Sequence, residues 1–289
     1  MKRLALLSAT STLALTACFT VRSPDAPMGM TAYGLDAQGQ LVIFGTDNPT
    51  NSTRRLALTG LASGEVLVDL DVFNRDGMLY ALSDRGTLYS VNTTTGALTR
   101  NVGTAAMGTP TVMDFNPAAE RLRVFSNGDL NFRLTPATGS STDGTVTADG
   151  TLMYAQTDPA NAGRNPNLVA AAYTNSFRMF KPTTEYTPAT TLFSIDADTD
   201  MLVSHTNSPA PAPTGNFSTL NVVGALGVDV SAGRTGFDIA GENSALLSVS
   251  NGTSTTLYTV NLATGRATTK STLDGVSLKA FALALPARS

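Results

Sequence analysis

Three aspartates stand at like places in three short apolar runs. Asp71 closes Leu67-Val68-Asp69-Leu70-Asp71-Val72, Asp114 sits in Thr111-Val112-Met113-Asp114-Phe115-Asn116, and Asp238 in Thr235-Gly236-Phe237-Asp238-Ile239. Carboxylates at matching positions of like strands converge when a repeat fold gathers those strands around one axis. Asp69 shares a strand face with Asp71, because side chains two residues apart point the same way. Asn116, and Asn175 beyond the run Leu168–Tyr173, add amide oxygens near the same mouth. Such a set suits two chemistries. Oxygen ligands alone suit a hard cation such as Ca²⁺, and a carboxylate pair suits acid–base work on a glycoside. The third reading is structural: aspartates repeated in this way bond backbone N–H groups and tie the repeats together.

Other chemistries are mostly excluded. His205 is the only histidine, so no paired-histidine metal site forms, and no Gly-x-Ser-x-Gly elbow exists for a serine triad. No phosphate-binding glycine loop opens a helix. Asp196-Ala197-Asp198-Thr199-Asp200 begins like a calcium loop but lacks the glycine at the sixth place and the glutamate at the twelfth. It reads as a turn. Arg121, Arg123 and Arg133, with Asp114 and Glu120 close by, read as an ion-pair ladder. Asn161 and Arg164, in a long Asn/Pro/Gly-rich stretch, are the candidate recognition residues, because loops carry function on rigid scaffolds. Trp is absent, which removes the usual platform for stacking sugars.

The elements that position these groups are announced by a repeated phrase. Thr87–Gly96, Asn131–Gly139, Thr191–Asp200 and Thr256–Gly265 each run from a short strand with a central aromatic into a turn, and Gln40–Asp47 is a degraded fifth copy. A strand-turn unit recurring in this way reads as the third strand of successive β-propeller blades. The aspartate runs lie upstream as inner strands, with Leu168–Tyr173 as another. Leu278–Leu285 is an inner strand with no blade after it, while Thr31–Leu35 and Leu41–Phe44 lack an inner strand before them. Joined, they make one composite blade, giving an all-β propeller of five blades. The spacing from Tyr89 to Phe132 is 43 residues, but 61 follow to Phe193 and 65 to Tyr258. We read the excess as loop insertions at 158–167 and 207–215; a sixth blade is the alternative.

Residues 1–17 stand outside this fold. Lys2 and Arg3 precede the apolar stretch Leu4–Leu15, as in a secretory signal peptide. Leu15-Thr16-Ala17-Cys18 resembles a bacterial lipobox and implies cleavage before Cys18, the only cysteine, with lipid attached to it. Residues 18–29 read as a flexible tether and 30–289 as one domain. Loss of Lys2 and Arg3 leaves the mature chain two units more negative than the whole chain's −3, and 14% of residues are charged, against about a quarter in an average protein. That balance excludes nucleic acid as a partner. No Asp directly follows Cys18 to hold such a lipoprotein at the inner membrane, so the outer membrane is the destination expected where the organism has one.

Several phrases are more specific than blade periodicity demands. Asp114-Phe115-Asn116-Pro117-Ala118-Ala119-Glu120-Arg121-Leu122-Arg123-Val124 is one, and Asp158-Pro159-Ala160-Asn161-Ala162-Gly163-Arg164-Asn165-Pro166 is another. With Thr190–Asp196, Leu226–Val230 and Gly236–Ile239 they resemble the bacterial exported family catalogued as DUF4394, a domain of unknown function, over nearly all of 31–285. The resemblance implies an all-β, propeller-like domain outside the cytoplasm and implies no activity. The expected role is that of a lipid-anchored scaffold without a cofactor, binding an envelope protein or glycan. The alternative is a hydrolase, a glycosidase or a Ca²⁺-dependent enzyme, with its carboxylates in the propeller channel.

Overall fold

The computed structural model describes residues 23–178, 189–208 and 214–288. The described chain begins with β1 (Thr31–Asp36), β2 (Leu41–Gly45) and β3 (Arg54–Leu56). A four-strand meander follows: β4 (Leu67–Val72), β5 (Leu79–Ser83), β6 (Thr87–Val91) and β7 (Leu98–Gly103). The next is β8 (Pro110–Asn116), β9 (Arg121–Ser126), β10 (Leu130–Leu134) and β11 (Val146–Thr151). After β12 (Met153–Tyr154) come β13 (Leu168–Tyr173), β14 (Leu192–Asp196), β15 (Met201–Thr206) and β16 (Thr219–Ala225). The last meander is β17 (Thr235–Ala240), β18 (Ser244–Ser250), β19 (Thr255–Val260) and β20 (Ala267–Leu273), and β21 (Leu278–Leu283) ends the series.

Five separate sheets result, and they are the five blades of a propeller. Four blades start at their inner strand, β4, β8, β13 or β17, and step outward in chain order. The fifth is composite, in the order β21-β1-β2-β3, so the end of the chain supplies the inner strand of a blade begun at its start. β1 lies between β21 and β2, antiparallel to both. That arrangement closes the ring. Asp25 to Met28 of the expected tether lie against this blade: the Asp25 N–H donates to the Asn51 carbonyl at 2.9 Å, and the Met28 N–H donates to Asn48 Oδ1 at 2.8 Å. Residues 1–17, Cys18 and the tether's first residues lie outside the described residues.

One strand assignment changes. The phrase at Thr191–Asp200 is the second strand of its blade, not the third, because the order there is β13-β14-β15-β16 with β12 added parallel to β16. The extra length is shared by three intervals: the expected insertions between β12 and β13 and between β15 and β16, and a third between β13 and β14 that composition does not mark. The turn after the phrase has the same form in either place. Asn92 Oδ1 accepts the N–H groups of Thr94 and Thr95, and Gly96 takes φ 78°. Asp196 Oδ1 accepts the Asp198 N–H, and Asp200 takes φ 53°. The Asp196–Asp200 run is therefore an Asx turn, as its missing Gly and Glu imply.

The blades pack face to face, and the apolar core is divided among the seams between them. Between the β4–β7 and β8–β11 blades, Phe73 stacks on Phe115 with centroids 4.4 Å apart, and Tyr80 meets Phe115 edge-on at 5.5 Å. Near the axis the strands approach so closely that a Cβ on Gly236 of β17 would lie 2.6 Å from Phe281 Cβ and 2.7 Å from the Phe281 backbone nitrogen of β21.

Candidate functional site

Each inner strand is a sheet edge, so part of its backbone N–H groups lack a partner in their own ladder. The aspartates supply it. Asp71 Oδ2 accepts the N–H of Phe115, on the next inner strand, at 2.8 Å, and Asp71 Oδ1 accepts that of Val72 at 2.6 Å. Asp114 Oδ1 accepts from Tyr173 of β13 at 2.9 Å. Asp238 Oδ2 accepts from Leu283 of β21 and Oδ1 from Ile239, both at 2.6 Å. Val72, Phe115, Tyr173, Ile239 and Leu283 are one residue from each of the five inner strands. Three carboxylates thus satisfy a ring of five N–H groups. At the two remaining equivalent places, just before Tyr173 and Leu283, stand Ala172 and Ala282. Asp69 repeats the device one level along, accepting from Leu70 at 2.9 Å and from Met113 at 2.8 Å.

The clasps meet at the axis. One carboxylate oxygen from each of Asp71, Asp114 and Asp238 lies within 4.8 Å of the others, and all three residues are buried. Like charges that close together, out of water, favour the neutral form. Burial pushes Asp238 up to about 7, and it pushes Asp69 to about 7 as well. Asp71 and Asp114 are raised well above the usual carboxylate range, first by burial and then by their charged neighbours. Asp114 carries the repulsion of all three other aspartates and accepts only one backbone N–H. The arrangement can therefore hold a proton between carboxylates, or a cation whose oxygen ligands stand up to about 4.8 Å apart, twice a Ca²⁺–oxygen distance of about 2.4 Å.

The other residues singled out from the sequence do not join this centre. Asn116 Oδ1 accepts the N–H groups of Ala118 and Ala119 in a turn. Asn175 takes φ 65° and its amide donates to the Ala189 carbonyl. Asn161 Nδ2 donates to Asp158 Oδ2 at 2.8 Å within its own loop, and Arg164 is exposed there. The arginines form no ladder with Asp114 and Glu120. Arg123, 1% exposed, donates to Asp149 at 2.6 Å and, through Nε, to the Tyr173 hydroxyl at 3.0 Å. Arg133 grips the same carboxylate with two bonds of 2.6 and 2.7 Å. Glu120 pairs with Arg75 at 2.9 Å, and Arg121 Nη2 donates to the carbonyls of Arg133 and Thr145.

Sequence reasoning missed Asp149 and the pair Ser194–His205. Ser194 Oγ lies 2.8 Å from His205 Nε2, and His205 Nδ1 lies 2.8 Å from the Phe217 carbonyl, which makes Nδ1 the protonated nitrogen. Burial pushes the imidazole down to about 3. With a carbonyl where a triad would place a carboxylate, and both residues buried, the pair is part of the core.

Two adjoining cavities open on the face where the inner strands begin. One, of about 250 Å³, is the channel mouth, lined by Val66, Leu67, Val68 and Val169 and reaching Asp69 but not the three deeper aspartates. The other, of about 380 Å³, is a polar cleft between the β8–β11 and β13–β16 blades, and the two share Thr111, Val169 and Ala232. Asn165 and Asn167, at the end of the long loop that also carries Asn161 and Arg164, form one wall of the cleft.

Comparison with known proteins gives a family and a fold. The family described as "Domain of unknown function (DUF4394)" matches residues 40–282. No curated protein matches. Among solved structures, a chain of a nidogen/laminin complex is similar at 8% identity and TM-score 0.51, covering 90% of this chain and all of its own. A protein of unknown function from Bacteroides thetaiotaomicron is similar at 14% identity and TM-score 0.47, over 85% of this chain and 56% of its own. Regucalcin from Agrobacterium tumefaciens, described as a calcium-binding protein, is similar at 14% identity and TM-score 0.41, over 89% and 79%.

Proposed function

The chain belongs to the DUF4394 family, and from its own geometry we propose that it is an exported, lipid-anchored propeller that binds a partner on the cell envelope without catalysis at its channel. The observation that carries this reading is the use made of the channel carboxylates. Five of the six oxygens of Asp71, Asp114 and Asp238 accept backbone N–H groups, one from each blade. A general acid or base must face its substrate within hydrogen-bond reach, and the channel mouth stops at Asp69. The same five donors occupy oxygen lone pairs that a Ca²⁺ ion would need as ligands. These aspartates hold the ring rigid and leave binding to its faces, where loops vary without cost to the ring.

Anchoring rests on the lipobox-like Leu15–Cys18 and on the single cysteine. Cells expressing the full chain and fed radiolabelled palmitate should label the wild type and not Cys18→Ser; equal labelling of both would refute the anchor. The absence of channel chemistry is checked with glycoside and phosphoester panels, with and without Ca²⁺. Turnover lost in Asp114→Asn would refute the scaffold and establish the hydrolase.

A further inference from the structure

We infer that the polar cleft beside the channel mouth is a binding site for a neutral saccharide, which deepens the proposed function by naming the chemistry of its partner. At about 380 Å³ the cleft lies in the size range of small-ligand sites. Its lining departs from the usual apolar kind. Asn127, Asp129, Asn167 and Asp198 contribute amide and carboxylate groups, Ser126 lies in the wall with its hydroxyl buried, and Leu168 and Val169 supply an apolar patch.

These groups are not consumed by the fold. Ser126 is buried, and its Oγ has no hydrogen-bond partner. Orphaned hydroxyls of that kind are uncommon in folded proteins and call for an explanation. Asn127 uses only Oδ1, which accepts the Thr109 N–H at 3.2 Å, and its amide donors remain. Asp198 takes the Asn167 amide on one oxygen at 2.7 Å and keeps the other. Asp129 stands at φ 59°, in the left-handed region, which points the chain sharply from β9 into β10 at the cleft rim. Its carboxyl is raised by partial burial and then by the charge of Asp196.

The ligand class follows from the balance of donors and acceptors. No Lys or Arg lines the cleft, while two carboxylates do, so phosphates, sulfated glycans and other anions are disfavoured. A pure cation would need acceptors only, and the amide donors of Asn127 would be wasted on it. Sugar hydroxyls both donate and accept, and the C–H face of a pyranose ring suits Leu168 and Val169. The channel mouth adjoins the cleft at Thr111, Val169 and Ala232 and carries Lys279 on its own wall.

The test is titration calorimetry of the full chain in detergent with cellotetraose, maltotetraose, chitotetraose and mannotetraose. Spermine serves as the cationic control and a heparin-derived tetrasaccharide as the anionic one. At least one neutral sugar should bind, and Asp129→Asn and Asn127→Ala should each weaken it tenfold or more. Asparagine tolerates positive φ, so Asp129→Asn leaves the backbone in place, and unchanged melting of each variant shows that binding rather than folding was lost. Binding by none of the neutral sugars overturns the inference, as does binding that is retained in both variants or confined to spermine or the sulfated sugar. Such results would leave the lipid anchor and the inert channel standing, since neither is read by this assay.

Discussion

Raising the pH should loosen this propeller at its axis, and Asp114→Asn should remove Asp114's own share of the effect. In the folded chain Asp69 and Asp238 stand near 7, against about 4 for an aspartate in the unfolded chain. Between those limits the folded state holds protons that the unfolded state has released, so unfolding free energy falls as pH rises. Below the unfolded value the stability is intact, and above about 7 the loss is complete. Three pH units correspond to roughly 4 kcal/mol for one such group. In a domain of this size that amounts to about 8–16 °C in melting temperature. Asp71, Asp114 and Asp238 titrate together, so the steps belong to the cluster rather than to single residues. His205 works against them: pushed down to about 3, it adds stability as pH rises through the same range. The clean measurement is therefore a difference. In Asp114→Asn the amide oxygen still accepts the Tyr173 N–H, and the new amide donor can face a neighbouring carboxylate. One of three crowded charges disappears and every clasp survives. Melting followed by circular dichroism from about pH 4 to pH 8 should show a flatter slope in the variant and a higher melting temperature than wild type at pH 8. Parallel curves for the two proteins would refute the shared-proton account, and a variant less stable than wild type at pH 8 would do the same.

Three further outcomes follow from the same geometry. Millimolar Ca²⁺ should leave the melting temperature of the wild type unchanged; a site filled at a hundredfold excess over its Kd would instead add about 2.7 kcal/mol. Asp149→Ala strands the buried Arg123 and should cost about 3–5 kcal/mol in urea unfolding; a cost under about 1 kcal/mol would show that water or Tyr173 replaces the carboxylate. Gly236→Ala places a methyl group 2.6 Å from Phe281 Cβ and should lower stability by about 1–3 kcal/mol, with wild-type melting as the contrary result.

The ring was legible because its inner strands keep a pattern that chemistry enforces. Asp71, Asp114 and Asp238 are repeated where a sheet edge needs an acceptor, so their equivalence and their convergence could be read together. The composite blade was legible from its two halves, each missing what the other supplies. The misplacement of Thr191–Asp200 has a physical source: a short apolar strand running into an Asx turn looks the same in the second place of a blade as in the third. Asn116 and Asn175 were misleading for a related reason, since asparagine beside a strand end serves its own turn as readily as a ligand. Asp149 carried no signal. Its partnership with Arg123 and Arg133 exists only once β11 has folded back along β10, at sequence distances that no local pattern marks. The cleft is hidden likewise: composition marks the long loop, but Asn165 and Asn167 face Asp129 only across a seam between blades.

The position of β1 also decides how the protein would respond to being pulled. Were the N-terminus held by lipid, as proposed, a pull on it would pass into Thr31, at the start of a strand flanked on both sides, with five registered residue pairs to β2 and five to β21. Tension along β1 loads both ladders in shear, so their hydrogen bonds must fail together rather than one after another. Had the composite blade been joined with the N-terminal strand outermost, the same tug would have peeled it away pair by pair. The strand that closes the ring would thus also lock the domain against such a pull, and the contacts of Asp25 and Met28 with the loop at Asn48–Asn51 would be the first to give.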